Sequence, residues 1–312
     1  LFRGNKQIAG RSEEDLYVAL GMDFIPPEMR ENLGEIELAQ KRKLPKLIGY
    51  GDLKGDLQVQ TNWTDGESSI KEMARAAAEA GLEYIAITDH TKRLAMTGGL
   101  DEKRIVKQWA EIDRVNKSLG GKIKVLKGTE CDILRDGSLD LPDEILAKCD
   151  VVGVSVHSLF NLSRKDQTER IKRAMENPHA DILFHPTGRL INRRKAYEID
   201  MDEIIATAKK TGTILEIDAF PDRLDLKDEY IRKCVEAGVH PVRNSPPRRP
   251  FGCASAGVVS NGVKMAIDSD AHSTNHFQVL EYGIAQARRG WAEKKDIINA
   301  WPLEKMLKFL KP

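Results

Sequence analysis

Seven acidic and imidazole side chains recur at one kind of place in this sequence. Asp65, His90, Glu130, His157, His185, Asp270 and His272 each stand at or just past the end of a short apolar run. Imidazole nitrogens and carboxylate oxygens together suit manganese, zinc or iron, and a carboxylate-rich subset also admits magnesium. If they converge they are too many for one ion, so two or three divalent metals are expected. Ions a few ångströms apart hold a phosphate, activate a water and neutralise a leaving oxygen, the recurring arrangement for phosphoester hydrolysis. Glu130 is the candidate to bridge two ions, and Glu130, Asp270 and His272 carry the expected catalytic roles.

A single strand-end His is more often a hydrogen-bonded structural residue than a ligand. Several such ends beside "DSDAH" (268–272) reverse that balance. Asp89 and Asp268 admit two roles, ligand or cap. His179 and His240 have no strand context and read as solvated, and His276 stays unassigned. Arg189, Arg193 and Arg194 in "GRLINRRK" follow His185, and Arg223 lies in "DRLDL". Guanidinium forks bind phosphate bidentately, although a solvated loop is an equal reading for any one of them. Trp63 offers a face to a nucleobase, but packing is the commoner use of a tryptophan. One strand differs. In "GDLQVQTNWTDG" (55–66), period-2 spacing aims Gln58 and Gln60 at the same site, with amides where the other strand ends carry imidazoles and acids.

The elements that position these residues alternate. The runs "LQVQT", "YIAITDH", "IKVLKGTE", "VVGVSVH", "ILFHPTG", "ILEIDAF" and "MAIDSDAH" are separated by helical stretches such as "IKEMARAAAEAG" and "MDEIIATAKKTG". Strand–helix alternation means parallel strands, and seven or eight of them predict a closed barrel with its site at the C-terminal strand ends. Residues 51–312 form this expected domain. Residues 1–50 read as a helical appendage with two helices, one capped by Ser12 and ending before Gly21, the other opening at Pro27. Residues 240–263, rich in Pro, Ser, Gly and Arg, read as an inserted surface loop.

The bulk numbers agree. A chain of 312 residues with 41% hydrophobic and 31% charged residues suits a barrel plus extras. No apolar run approaches the roughly 18 residues of a membrane span, so no membrane partner is expected. No basic segment leads into an apolar stretch near Leu1, so export is not expected, and the missing initiator Met fits a piece of a longer protein. Cys131, Cys149, Cys234 and Cys253 lie far apart, which fits a reducing cytoplasm better than a disulfide framework. With a net charge of only +1, attraction to a polyanion such as DNA must come from a local patch.

The motifs "TNWTDG", "AITDHT", "KGTECDIL", "VSVHS", "FHPTGR" and "IDSDAHS" resemble the motif series of the polymerase and histidinol phosphatase (PHP) superfamily, in the version fused to bacterial and archaeal family X DNA polymerases. The likeness runs from about Glu13 to the end and skips the insertion. "SEEDLYVALGMDFIPPEMRE" is similar to the tail of the polymerase module and its linker. The resemblance implies a distorted (β/α)7 TIM-like barrel with a trinuclear cluster, usually manganese or zinc, that hydrolyses DNA from 3' ends and removes 3'-phosphates. It implies Asp65, His90 and His272 around one ion, Glu130, His157 and His185 around a second, and Asp270 with Glu130 at a third. It also implies a polymerase module upstream, whose nucleotidyl-transfer palm is not in this chain. The family has His-x-His where this chain has Gln58-x-Gln60, so the last position keeps only its carboxylates. An amide oxygen is a weak neutral ligand, and affinity there is expected to fall. A partly active enzyme, a binuclear one, an inactive DNA-binding scaffold and a small-molecule phosphatase of the histidinol-phosphate type are the alternatives this leaves.

Overall fold

After a small hairpin, β1 (Phe2–Arg3) and β2 (Lys6–Gln7), seven parallel strands stand side by side in sequence order: β3 (Gly55–Val59), β4 (Tyr84–Ile87), β5 (Lys124–Asp132), β6 (Val151–Ser155), β7 (Ile182–Leu183), β8 (Ile214–Asp218) and β9 (Met265–Asp268). The computed structural model describes residues 1–237 and 262–311. Apart from Gly262 and Val263, the insertion expected over 240–263 lies outside the described residues, with His240 and Cys253. The sheet curls until β9 meets β3, joined by a parallel bridge between Val59 and Ala271. There the Gln60 N–H donates to the Ala271 carbonyl at 2.8 Å and the Ala271 N–H to Gln58 at 3.3 Å. The result is the distorted, nearly closed (β/α)7 barrel that the alternation predicts.

Alternation along each strand sorts the core into two layers. Ile85, Ile87, Val125, Val152, Val154, Leu215 and Ile267 face the surrounding helices. Tyr84, Ala86, Leu126, Val151, Phe184, Ile214 and Ala266 form a second cluster with Trp301, Met306 and Leu310, which plugs the lower barrel with helix α10 (Leu303–Leu310). The register shifts between Asp56 and Val59 in β3. Leu57 joins the inner cluster and Val59 the outer one, so an extra residue, Gln58, fits between them.

The helices begin and end where the chain supplies caps. Two precede the barrel, α1 (Glu13–Ala19) and α2 (Glu35–Gln40). Around the barrel run α3 (Ile70–Glu79), with a Ser69–Glu72 capping box, and α4 (Glu102–Leu119), capped by Asp101 and closed by Gly120 at φ +60°. Then come α5 (Asp143–Leu146), α6 (Arg164–Met175), α7 (Met201–Thr211), α8 (Asp228–Glu236) and α9 (Leu280–Arg289). Among the described residues no helix is long and apolar enough to cross a membrane.

The appendage corrects one expectation. Ser12 caps α1, its side chain accepting from the Asp15 N–H, but the second stretch is not one helix from Pro27. It is a turn at Pro27–Met29 followed by α2, because Asn32 and Gly34 take left-handed backbone at φ +56° and +100°. The Glu35 carboxylate holds that break by accepting from the N–H groups of Asn32 at 2.8 Å and Leu33 at 2.7 Å. The appendage packs Ile25, Met29 and Ala39 on Trp291, and Glu28 receives Arg288 at 2.7 Å and the Tyr50 hydroxyl at 2.8 Å.

Candidate metal centre

The polar residues at the mouth continue the inward-facing register of the lower core. On β5, Leu126 lies in the inner cluster, and Glu130 and Asp132 follow at even spacing on the same face. His90 continues β4 and bridges to Glu130 in parallel register, which puts the two side by side. Asp65 sits in the turn after β3. That turn closes tightly at Gly66, where an added Cβ would stand 2.6 Å from the Thr61 nitrogen. His185 and Asp270 hold left-handed backbone at φ +28° and +49°, a conformation costing a non-glycine residue about 1–3 kcal/mol and concentrated at functional sites.

Glu130 is the hub. Its Oε1 lies 2.9 Å from His185 Nε2 and 3.1 Å from His157 Nε2, while Oε2 accepts from Gln60 Nε2 at 2.8 Å and lies 3.5 Å from His90 Nδ1. The other nitrogen of His90, Nε2, lies 3.5 Å from Asp65, and His272 Nε2 lies 3.7 Å from the same carboxylate. The His272 Nδ1–H donates to the Asp270 carbonyl at 2.7 Å, so Nε2 faces Asp65 and is the nitrogen that carries the lone pair once the ring is neutral. Asp270 lies at the edge, its carboxylate 3.5 Å from Arg223 Nε and 3.8 Å from His272 Nδ1. Seven strand-end residues from distant parts of the chain thus meet in one mouth.

Two groups have the spacing to hold an ion: Asp65, His90 and His272, and His90, Glu130 and His157. They share His90, and a neutral imidazole has one lone pair, so His90 serves one group at a time. His185, at 2.9 Å from Glu130, then completes the second. The donor set fits divalent ions, and the buried polar atoms argue the same. Nδ1 of both His90 and His185 has no hydrogen-bond partner, nor have Gln60 Oε1 or either amide atom of Gln58. Each such group costs about 1–3 kcal/mol when left unsatisfied.

Charge follows the geometry. Burial alone would raise Glu130, but His90 and His157 beside it, with hydrogen bonds from His157 and His185, hold it well below the usual carboxylate range. Burial also opposes ionisation of Asp65, yet hydrogen bonds with His272 and His90 hold it low. His157 is pushed up to about 9: burial favours the neutral ring, but Glu130 and Asp132 overcome it. His272 reaches about 10, where Asp65 and Asp270 outweigh burial. His185 goes down, through burial and the nearby Arg223 guanidinium. Deeper in the barrel, burial pushes Glu216, Asp218 and Asp268 well up, and Asp218 and Asp268 add repulsion at Glu216. A cavity so rich in carboxylates favours cations.

Several residues take roles other than those their sequence positions predict. Asp89 is a structural hub, accepting from the Thr61 N–H and hydroxyl, Thr64 and Gln108 at 2.5–2.8 Å. Asp268 accepts from the Leu57 N–H at 2.7 Å and so ties β9 to β3. His276 supports the centre through Nδ1, which accepts from the His272 N–H at 3.1 Å. Trp63 packs partly buried, its Nε1 donating to Glu111 at 3.1 Å. Arg223 alone of the four arginines reaches the centre, its Nε 3.1 Å from Asp218. Arg189 binds the Arg223 carbonyl at 2.7 Å and that of Leu224, Arg194 binds Gly188 O at 2.9 Å and lies on Phe160, and Arg193 pairs with Asp222 at 3.3 Å. Asp132, missed from the sequence, receives the His157 N–H at 3.2 Å and faces its Nδ1 at 3.3 Å, and Glu216 receives the His185 N–H at 2.5 Å. Asp132 lies two residues after Glu130 and Glu216 two residues before Asp218, each pair at the even spacing that shares one face of a strand.

A parallel barrel that gathers imidazoles and carboxylates at the carboxyl ends of its strands defines a class, the metal-dependent hydrolases. The chain belongs to the PHP domain family, which it matches over residues 56–237, and residues 1–31 match the DNA polymerase beta thumb family. It is 40% identical over 300 residues, 96% of its length, to the DNA polymerase/3'-5' exonuclease PolX of Bacillus subtilis, and covers 48% of that protein. The chain therefore spans about half the length of this relative. A protein described as a probable phosphatase from Thermoanaerobacter sp. is 32% identical over 211 residues, 66% of this chain and 73% of its own. Among solved structures, histidinol phosphate phosphatase from Lactococcus lactis, in complex with zinc, L-histidinol and phosphate, superposes with a TM-score of 0.50 at 15% identity. That superposition covers 77% of this chain and 95% of the other, and supports the shared fold.

Proposed function

We propose that the chain is the part of a family X type DNA polymerase that cleans 3' ends, a metal-dependent phosphoesterase with 3'-5' exonuclease and 3'-phosphatase activity. Residues 1–50 are then the end of the polymerase module and its linker, and 51–312 the hydrolase. The observation that carries the reading is Glu130, buried at the meeting point of imidazoles from three strand ends. The 40% identity with a protein named for a 3'-5' exonuclease supplies the substrate class. Three cysteines, Cys131, Cys149 and Cys234, are buried free thiols, which suits the proposed cytoplasmic setting.

Asp65, His90 and His272 hold one ion in this reading, and Glu130, His157 and His185 the other. Manganese or zinc there supplies Lewis-acid stabilisation of the phosphate and a more acidic water. Asp132 fixes the ring of His157 from behind, and the Asp270 carbonyl fixes the tautomer of His272. Arg223, kept charged by Asp218 and Asp270 against the effect of burial, gives the phosphate a fixed positive partner. Asp270 with Glu130 offers a third position, impaired where Gln58 and Gln60 replace imidazole.

The test is release of label from a 3'-labelled single strand with manganese, comparing wild type with His157→Ala. The expected loss exceeds the roughly 10–100-fold that removing a ligand's hydrogen-bonded partner costs. Equal inertness of both proteins overturns the enzyme reading. It favours instead a barrel that binds DNA without cutting it, which the occupation of Glu130 Oε2 by the Gln60 amide would explain. Faster turnover of histidinol phosphate than of DNA would transfer the chain to the small-molecule phosphatases.

A further inference from the structure

We infer that the loop following β7 and the start of α8 form a groove that binds the phosphate backbone of a single DNA strand leading to the metal centre. This rests on the DNA-end reading above for its ligand, but binding is separable from hydrolysis. The sequence "RLINRRKA" (189–196) carries four cations, Arg189, Arg193, Arg194 and Lys195, and no acid, in a chain whose net charge is only +1. These residues and Lys227 line one groove of about 540 Å³. Two acids pair with its cations, Asp222 with Arg193 at 3.3 Å and Glu229 with Lys227 at 3.2 Å. The Arg193 side chain is 70% exposed, and such surface pairs contribute little, so a phosphate can displace them. Lys195 is exposed and has no ionic partner among the described residues.

The loop is also braced from within and from its neighbours. Leu190 and Arg194 exchange two backbone hydrogen bonds of 2.8 Å, and the Ile191 N–H donates to the Asp222 carbonyl at 2.5 Å. Arg194 lies 4.3 Å over the Phe160 ring, and the Tyr197 hydroxyl donates to the Pro186 carbonyl at 2.6 Å. Cations on a fixed backbone lose little entropy when a polyanion binds. The groove joins the centre covalently and by contact. Arg189 follows His185 by four residues and bonds the carbonyl of Arg223, whose guanidinium faces Asp270. A strand with its end beside Arg223 would run over Arg193 and Lys195.

The test measures binding of a fluorescein-labelled oligothymidylate to the whole chain by anisotropy, in EDTA so that nothing is cut, across a salt series. Arg193→Ala/Lys195→Ala should weaken binding about tenfold. It should also lower the slope of log affinity against log salt by about 1.4, since each phosphate contact on a single strand contributes about 0.7. The matched control, Lys305→Ala/Lys308→Ala on α10 at the plugged end of the barrel, should leave both unchanged. Wild-type affinity in the groove variant, equal weakening in both variants, or no binding by wild type would each overturn the groove. Failure of hydrolysis with binding intact would count only against the phosphoesterase reading.

Discussion

Gln60 Nε2 donates to Glu130 Oε2 across 2.8 Å with both side chains buried, so an amide holds the oxygen that a further cation would need. A neutral amide is a far poorer ligand for manganese or zinc than imidazole. Gln58, also buried and with no partner for its side-chain amide, adds no hydrogen bond to offset its burial. Replacing both with His should raise tightly bound manganese or zinc by one ion per chain, counted by plasma mass spectrometry after gel filtration. An unchanged count would show that the amides are not what limits occupancy.

Asp132 stands behind His157, 3.3 Å from Nδ1, and accepts its backbone N–H at 3.2 Å. Asp132→Asn keeps the shape and removes the charge that fixes the ring. Metal affinity, read by competition with a chelating dye, should fall about 10–100-fold, with Tm in EDTA changing much less. Equal affinities would mean that the ring is oriented by packing alone.

The barrel and its seven strand-end residues were legible because both follow from period. Apolar strands alternating with helices force a parallel sheet, and its C-terminal edge collects whatever polar residue ends each run. Asp132 and Glu216 follow the same rule, since each shares its face with a neighbour two residues away, but neither closes the apolar run that marks its strand in the sequence. The bond between Gln60 and Glu130 joins residues 70 apart in sequence and depends on the register shift at Asp56–Val59, which no local pattern announces. The break before α2 was hidden for a related reason. Asn32, Gly34 and Glu35 read as ordinary members of a charged helix until the Glu35 carboxylate is seen to accept two backbone N–H groups.

Asn299 closes the seam of the barrel. Its Nδ2 donates to the carbonyls of Gly55 at 2.9 Å and Ile267 at 2.6 Å, and its Oδ1 accepts from the Ile267 N–H at 3.1 Å. The residue is fully buried, so Asn299→Leu strands backbone groups on both β3 and β9. With three backbone groups orphaned at about 1–3 kcal/mol each, the loss should be at least about 3 kcal/mol. Tm should fall by roughly 5 °C or more on thermal melting, given about 2–4 °C per kcal/mol for domains of this size class. A change below about 2 °C would show that the seam is held elsewhere.

Acid and base should move metal-free and metal-loaded protein in opposite directions. His157 at about 9 and His272 at about 10 both lie above the ordinary imidazole value of about 6.5. A group whose pKa is raised on folding gives its full stabilisation below the unfolded value and loses it as pH rises through the folded one. In EDTA, therefore, these two imidazolium–carboxylate contacts support the fold at about pH 6 and fade between about pH 6.5 and 10. Ligation requires the neutral ring, so loading expels these protons and the stabilisation conferred by metal grows across the same window. Calorimetric Tm with and without manganese should diverge steadily from about pH 6 to 9, and buffer-dependent heats of binding should report proton release at neutral pH. Parallel Tm curves with no proton release would mean that neither His157 nor His272 gives up its proton to a metal.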